Sequence, residues 1–195
     1  MKKIIFYSHN NNKIKEVKKL FEELKINILT LHDFPNISEP KETGSSFEEN
    51  AEIKSSYGYK KIKLPCFADD SGICIDALGG FPGIKSKRFL KKNDDYKKTF
   101  KTIINKAKKL SNFQAYFQTS ISLTFDSETF FFKGIVRGKI SSEPRGEYGF
   151  DYDPIFIPKG SKKTFGEMSI KEKNKISHRA RAINKLKKFL IKSLN

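Results

Sequence analysis

Phe113-Gln114-Ala115-Tyr116-Phe117-Gln118-Thr119-Ser120-Ile121-Ser122-Leu123-Thr124-Phe125 is the stretch that decides the fold. Phe113, Ala115, Phe117, Thr119, Ile121, Leu123 and Phe125 alternate with Gln114, Tyr116, Gln118, Ser120, Ser122 and Thr124. Side chains of a strand point to opposite faces in turn, so this alternation predicts a long strand with one apolar face. Asp126 to Glu128 reads as a hairpin turn, and Thr129 to Val136 returns. An antiparallel hairpin of this length sets the chain apart from a purely parallel, doubly wound sheet.

The pattern upstream is different. Lys3 to Tyr7 reads as a buried strand, and Lys13 to Leu24 as a helix with Ile14, Val17, Leu20, Phe21 and Leu24 on one face. Ile26 to Leu31 is a second strand, and His32 to Gly44, with Pro35 and Pro40, is a loop. Ser45 with Glu48, or Ser46 with Glu49, forms a capping box that opens a helix reaching about Tyr59. Cys66 to Ala68 and Ile73 to Leu78 are short apolar runs flanking a polar turn, Asp69-Asp70-Ser71-Gly72. Gly79-Gly80-Phe81-Pro82-Gly83 is a second turn. Asp94 to Leu110 has helical spacing, with Tyr96, Phe100, Ile103, Ile104, Ala107 and Leu110 inward. Beyond the hairpin, Arg145 to Pro154 is a glycine-bearing loop. A last helix starts near Ser177, with Ile183, Leu186, Phe189, Leu190 and Leu194 inward. The order of elements predicts an α/β fold with a mixed sheet.

Composition bounds the function. The chain has 195 residues, 37% hydrophobic and 13% aromatic, which excludes a disordered or collagen-like chain. No run approaches the ~18 apolar residues that a bilayer span needs. The start, Met1 to Ser8, turns polar at His9-Asn10-Asn11-Asn12-Lys13 and makes a poor signal peptide, so a soluble cytoplasmic protein without membrane partners is expected. Cys66 and Cys74 lack the spacing of a zinc site or a disulfide scaffold and are expected to be small buried residues. The net charge is +17, but only five of the 39 basic residues are Arg (Arg88, Arg137, Arg145, Arg179 and Arg181). Lys spread along the whole chain is a compositional bias more than a nucleic-acid footprint, although the excess charge suits a polyanionic substrate.

Four segments carry residues that handle phosphate and metal. Ser8-His9-Asn10-Asn11-Asn12-Lys13 follows a strand and opens a helix, where main-chain N–H groups and the helix dipole suit phosphate. It lacks the glycines of a P-loop. Glu42-Thr43-Gly44 is followed by Asn50 and Lys54. Asp69 and Asp70 are adjacent carboxylates, costly together unless a cation or a shared proton relieves them. Mg²⁺ needs one or two carboxylates plus substrate phosphates, and Glu42 with Asp70 can supply them. The fourth segment is Phe150-Asp151-Tyr152-Asp153, with Lys173, His178 and Arg179 downstream. Its aromatics can stack a base, and its cations can meet phosphate or a purine carbonyl.

Together these stretches resemble the inosine triphosphate pyrophosphatase family of XTP/dITP diphosphatases. The matching segments are Asn10 to Lys13 with Glu16, Glu42 to Ala51 with Lys54, and Ala68-Asp69-Asp70-Ser71-Gly72 with Asp76 to Gly80. Pro82-Gly83-Ile84, Ser86-Lys87-Arg88, Gly149 to Phe156, Glu167-Met168, Glu172-Lys173 and Ile176-Ser177-His178-Arg179 complete the set, in the family's order and spacing. The resemblance implies an elongated α/β fold: one two-lobed domain over residues 1–195, a central sheet flanked by helices, and the active-site cleft between the lobes. It implies a homodimer and Mg²⁺-dependent hydrolysis of ITP, dITP and XTP to the monophosphate and pyrophosphate. Carried over by position, Asp70 is the catalytic base and, with Glu42, the metal-side carboxylate. Ser8, His9, Asn10, Asn11, Asn12, Lys13, Lys54, Ser71 and Lys173 contact phosphate or substrate. Phe150, Asp151, Tyr152, Asp153, His178 and Arg179 form the base pocket.

Two positions depart from the family's usual glycine, His9 and Asp151. If residue 151 is left-handed, Asp is among the better-tolerated replacements, and its extra carboxylate can shift the base preference. Two other readings stay open: a relative acting on a modified pyrimidine, against which His178-Arg179 argues, and a basic nucleic-acid-binding protein, against which the inward alternation of the aromatics argues.

Overall fold

The computed structural model describes every residue except Met1, Lys25, Asn93, Asp94 and Asn195. The expected helix start at Asp94 therefore lies outside the described residues, as does the side chain of Leu194. Strand β1 (Lys2–Phe6), helix α1 (Asn11–Phe21), strand β2 (Ile26–Thr30), helix α2 (Phe47–Ile62) and strand β3 (Cys66–Ile75) come first. Helices α3 (Ser86–Lys92) and α4 (Tyr96–Lys109) lead to the hairpin of β4 (Gln114–Phe125) and β5 (Glu128–Ile140). Strand β6 (Phe156–Pro158) and helices α5 (Ile170–Ile176) and α6 (His178–Leu194) follow. The strands form a six-stranded sheet in the order β2-β1-β3-β4-β5-β6. β1 is parallel to β2 and β3, and β6 is antiparallel to β5. This is the mixed α/β sheet flanked by helices that the element order predicts.

The chain divides into two compact units, each with its own core. Unit 1 comprises Met1–Asp70, Thr119–Gly134 and Arg179–Asn195. Its sheet is buried on both faces. Ile4 and Phe6 of β1 pack with Val17 and Phe21 of α1 and Ile183 and Leu186 of α6, whereas Ile5 and Tyr7 pack with Leu31, Cys66 and Ala68. Alternation along β1 thus serves two layers. Burying each Ile or Phe is worth ~1.5–3 kcal/mol. Helix α2 reaches the second face through Gly58, where a Cβ would lie 2.4 Å from the Tyr7 ring and 2.5 Å from Cys66 Sγ. The free cysteines Cys66 and Cys74 are both buried, as expected.

Unit 2 comprises Ser71–Gln118 and Ile135–His178. Ile73, Ile75, Phe100, Ile103, Ile104, Phe117, Tyr152, Phe156 and Phe165 are among the residues that form its core.

Several sequence-based expectations need correction. Asp69-Asp70-Ser71-Gly72 is no turn, because β3 runs unbroken through it. Gly72 suits a strand here because the main-chain oxygen of Gly83 occupies the space of a Cβ, 2.2 Å from its ideal position. The polar face of β4 is covered as well: Gln118, Ser120, Ser122 and Thr124 are buried. Ser55 of α2 covers that face in unit 1, its hydroxyl 2.7 Å from Ser122 Oγ and 2.8 Å from Thr124 Oγ1. The hairpin turn is as expected, with Asp126 and Ser127 both at positive φ, the conformation of a tight two-residue loop. Tyr96 and Leu110 at the ends of α4 are 45% and 51% exposed, against the inward placement that helical spacing predicts. At the start of α2, Ser46 accepts from the Glu49 N–H, while the Glu49 carboxylate bonds the N–H of Ser45 at 2.8 Å. Glu48 bonds Ser120 Oγ instead of closing a box with Ser45. α3, β6 and α5 were not expected; each is seven residues or shorter.

Candidate active site

Because Asp69 and Asp70 are neighbours in a strand, they point to opposite faces. Each face supplies its own partners, all within unit 1. On one face, Asp69 Oδ1 accepts from Lys13 Nζ at 2.9 Å, and Asp69 Oδ2 lies 3.2 Å from Arg179 Nη2. The other arm of the Arg179 guanidinium bonds Glu16. Arg179 is 1% exposed, Asp69 and Glu16 3% each. Burial opposes the Arg179 charge, but Glu16 and Asp69 outweigh it and hold the guanidinium firmly protonated.

On the other face, Asp70 Oδ2 accepts from Asn50 Nδ2 at 3.2 Å, and Asp70 Oδ1 lies 3.9 Å from Lys54 Nζ. Lys54 also bonds Glu42 Oε1 at 2.7 Å and the main-chain oxygen of Asp69 at 2.6 Å. Asn50 is fixed in turn by the Gly44 N–H, which donates to its Oδ1 at 2.9 Å. Asn50 and Lys54 are four residues apart on α2 and so share a face. Burial raises the Asp70 carboxyl above its ordinary range; Lys54 and Lys13 pull it down, while Glu42 and Asp69 push it further up. Burial lowers Lys13, against the pull of Asp69. Lys54 is raised: burial works against its charge, but Asp70, Glu42 and Asp69 prevail.

The Ser8–Lys13 segment is built as expected for a helix start. Asn10 caps α1, its side chain accepting from the N–H groups of Asn12 and Lys13. Ser8 Oγ accepts from the Asn10 N–H, and the His9 N–H donates to Glu39. His9 does not have positive φ, so the loop does not need the family's usual glycine there. His32, given no role from the sequence, lies with Nε2 2.8 Å from Asn11 Oδ1 and its ring 5.5 Å from that of His9. Ser71 follows Asp70 on β3 and is half-buried.

In unit 2 the Phe150–Asp153 loop folds on itself. The Phe150 N–H donates to Asp153 Oδ2 at 2.8 Å, and the Asp153 N–H to the Phe150 oxygen at 3.1 Å. Asp153 Oδ2 also takes a 2.6 Å ion pair from Lys173, whose Nζ lies 4.5 Å from the Phe150 ring centroid. Gly149 has φ 81, and a Cβ there would strike the Asp153 carboxylate. Asp151 has φ 54, the left-handed conformation that the usual glycine would adopt freely. Tyr152 is buried with its hydroxyl on the Ser86 oxygen, and burial raises its pKa. His178 stacks on Phe117, the rings 4.7 Å apart and 8° from parallel.

The structure therefore gathers Lys13, Glu42, Lys54, Asp70 and Arg179 in unit 1, and Phe150, Asp151, Tyr152, Asp153 and Lys173 in unit 2. Arg179, expected with the base pocket, has its guanidinium on Glu16 and Asp69. Glu16 and Asn50, noted in the sequence beside these segments but given no role there, belong to the cluster. Their spacing from Lys13 and Lys54 along α1 and α2 is the signal that could have given them one.

Among the described residues no group of three or more His, Cys, Asp or Glu is arranged to hold a metal ion. Glu42 and Asp70 meet at one lysine, and two hard carboxylates with substrate phosphates are a donor set that fits Mg²⁺.

A buried carboxylate pair on a mixed sheet, ringed by lysines and a helix start, defines an α/β class built to meet phosphate. Residues 4–189 match the Ham1 family, and the chain belongs to that family. It is 41% identical over 193 residues to the dITP/XTP pyrophosphatase of Bacillus subtilis (strain 168), covering 97% of this chain and 98% of that one. The solved Ham1 protein from Coxiella burnetii superposes with a TM-score of 0.88 at 34% identity, covering 98% of this chain and all of the other. The Staphylococcus aureus Ham1 protein gives 0.86 at 38% identity, with the same coverage.

Proposed function

We propose that this chain hydrolyses ITP, dITP and XTP to the monophosphate and pyrophosphate, removing non-standard purines from the nucleotide pool. The observation that carries it is the placement of Asp70: buried, raised by that burial, and oriented by Asn50 and Lys54. A carboxylate raised in this way is a stronger base than an exposed one, which suits it to accept a proton. A water oxygen attacks the α-phosphorus, the bond to the bridging oxygen breaks, pyrophosphate leaves, and the water proton passes to Asp70. Lys13 and Lys54 offset the charge that develops on the phosphates. Asn50 holds one Asp70 oxygen so that the other faces the water. The metal proposed here is Mg²⁺, held by Glu42 and Asp70, and when bound it would supply charge neutralisation at the triphosphate.

The Phe150–Asp153 loop handles the base. The Phe150 ring offers a stacking face, and main-chain N–H groups of the loop select the 6-keto oxygen. A site that hydrogen-bonds one group rejects analogues lacking it by large factors. The whole chain acts as one catalytic domain and as a homodimer, which rests on the family resemblance, and it works in the cytoplasm, which rests on a start that makes a poor signal peptide. Among the described residues no helix is long and apolar enough to cross a membrane.

Product analysis tests the reading. Purified protein with Mg²⁺ is given ITP, XTP, dITP, ATP, GTP and dTTP separately, and pyrophosphate and orthophosphate are quantified apart. Pyrophosphate released mainly from ITP, XTP and dITP is the expected result. Orthophosphate, a pyrimidine preference or no turnover refutes it.

A further inference from the structure

Unit 2 holds a cavity of about 480 Å³ that shares no residue with the catalytic set. It opens on the outward face of β5 and on the turn that follows β6. Along β5, Val136, Gly138 and Ile140 are buried, while Arg137 and Lys139 alternate outward. Lys159 follows β6, and its N–H donates to the Arg137 oxygen at 2.9 Å, which fixes the third cation beside the first two. Gln114 and Ser161 add hydrogen-bonding groups, and among the described residues no carboxylate lines the cavity. The Arg137 guanidinium rests 5.8 Å from the Tyr116 ring centroid. The fork is therefore held by stacking rather than by an acidic partner. Gly160 has φ 86 with open space around its Cβ position, leaving bare main chain at the rim.

Three like charges around one cavity repel one another until an anion joins them. We propose that this cavity is a second anion site, which takes the diphosphate group of a small ligand. Arg137 can grip one phosphate with two parallel N–H donors, and Lys139 and Lys159 meet the other as point charges. The volume is that of small-molecule sites, ~300–1,000 Å³. Two sources share this chemistry, free pyrophosphate and a nucleoside diphosphate.

The test uses three full-length proteins: wild type, Arg137→Gln/Lys139→Gln/Lys159→Gln, and a control, Lys97→Gln/Lys98→Gln/Lys101→Gln. The control removes the same charge from exposed positions of α4. Each is titrated calorimetrically with inorganic pyrophosphate and, separately, with ADP, in chelator at ~0.1 M salt to screen diffuse attraction. Saturable pyrophosphate binding in wild type and control, weakened about tenfold or more in the cavity variant, is the expected result. ITP turnover at saturation should be alike in all three. ADP binding tighter than pyrophosphate assigns the nucleotide as the source, and the reverse assigns free pyrophosphate. Equal affinity in all three proteins, equal loss in both variants, or no saturable binding to wild type overturns the proposal.

Discussion

At the scale of the residue, Asp70 is the side chain on which the proposed chemistry turns. Asp70→Asn keeps the shape and a hydrogen-bonding oxygen but cannot accept the proton, so kcat for ITP should fall about 10²–10⁴-fold. Pyrophosphate release measures it, and a loss smaller than tenfold would remove Asp70 as the base. Asp151 makes a separate point. Its φ of 54 puts a side chain with a carboxylate where glycine is free. Asp151→Gly relieves that conformation but loosens the unfolded chain, so stability should change by less than about 1 kcal/mol. The ITP:XTP turnover ratio should change, and an unchanged ratio would show that the carboxylate does not influence the base. Residue types made much of this site legible: the paired Asp, the lysines and the aromatic loop all stand out in the sequence. What residue type could not convey is the division of Asp69 and Asp70 between two faces. That follows from their being in a strand, and adjacent carboxylates before Ser-Gly read as a turn.

At the scale of the element, β3 shows why that reading failed. Turn residues in sequence signal a turn because their side chains prefer water. Here Lys13, Arg179, Asn50 and Lys54 replace the water, and tertiary pairing overrides local preference. β4 misled in the opposite way, since its polar residues are met by the hydroxyl of Ser55 instead of solvent. The long periodic elements, α1, α4, β4, β5 and α6, were legible because each carries several turns or pleats of pattern, and α2 because its first residues signal a helix start. α3, β6 and α5 are too short to carry a period. The start of α5 offers a pH test. Lys163, then the Ser169 N–H and hydroxyl, hold the Glu172 carboxyl down at about 2. A carboxyl lowered on folding adds stability above its ordinary range and loses it as pH falls through the folded value. Relative to wild type, Glu172→Gln should therefore show a constant Tm deficit above about pH 5 that closes toward pH 2. Melts across that range measure it, and a deficit that persists at pH 2 would show that the carboxyl's charge is not what steadies α5.

At the scale of the whole molecule, charge and connectivity matter most. A net charge of +17 attracts a triphosphate from a distance. Raising salt from ~0.05 to ~0.5 M should lower kcat/KM for ITP several-fold while kcat stays near its starting value. A kcat/KM that ignores salt would place the charge outside the encounter. The Glu16–Arg179–Asp69 cluster joins three separate stretches of chain inside unit 1. Arg179→Met takes the guanidinium from buried Glu16 and leaves Lys13 as the ion-pair partner of Asp69, and should cost about 3–5 kcal/mol in urea unfolding. Less than about 1 kcal/mol would mean that water reaches them. The same connectivity bears on how the protein is made. Unit 1 includes Met1–Asp70, upstream of all of unit 2, yet also contains Arg179–Asn195, downstream of it. A ribosome delivers residues in order, so Glu16 and Asp69 emerge long before the guanidinium that bridges them, and the apolar side of α1 waits for Ile183 and Leu186. Every residue of unit 2 has left the ribosome by then. Of the two units, the one that holds residues 1–70 is thus the later to be completed.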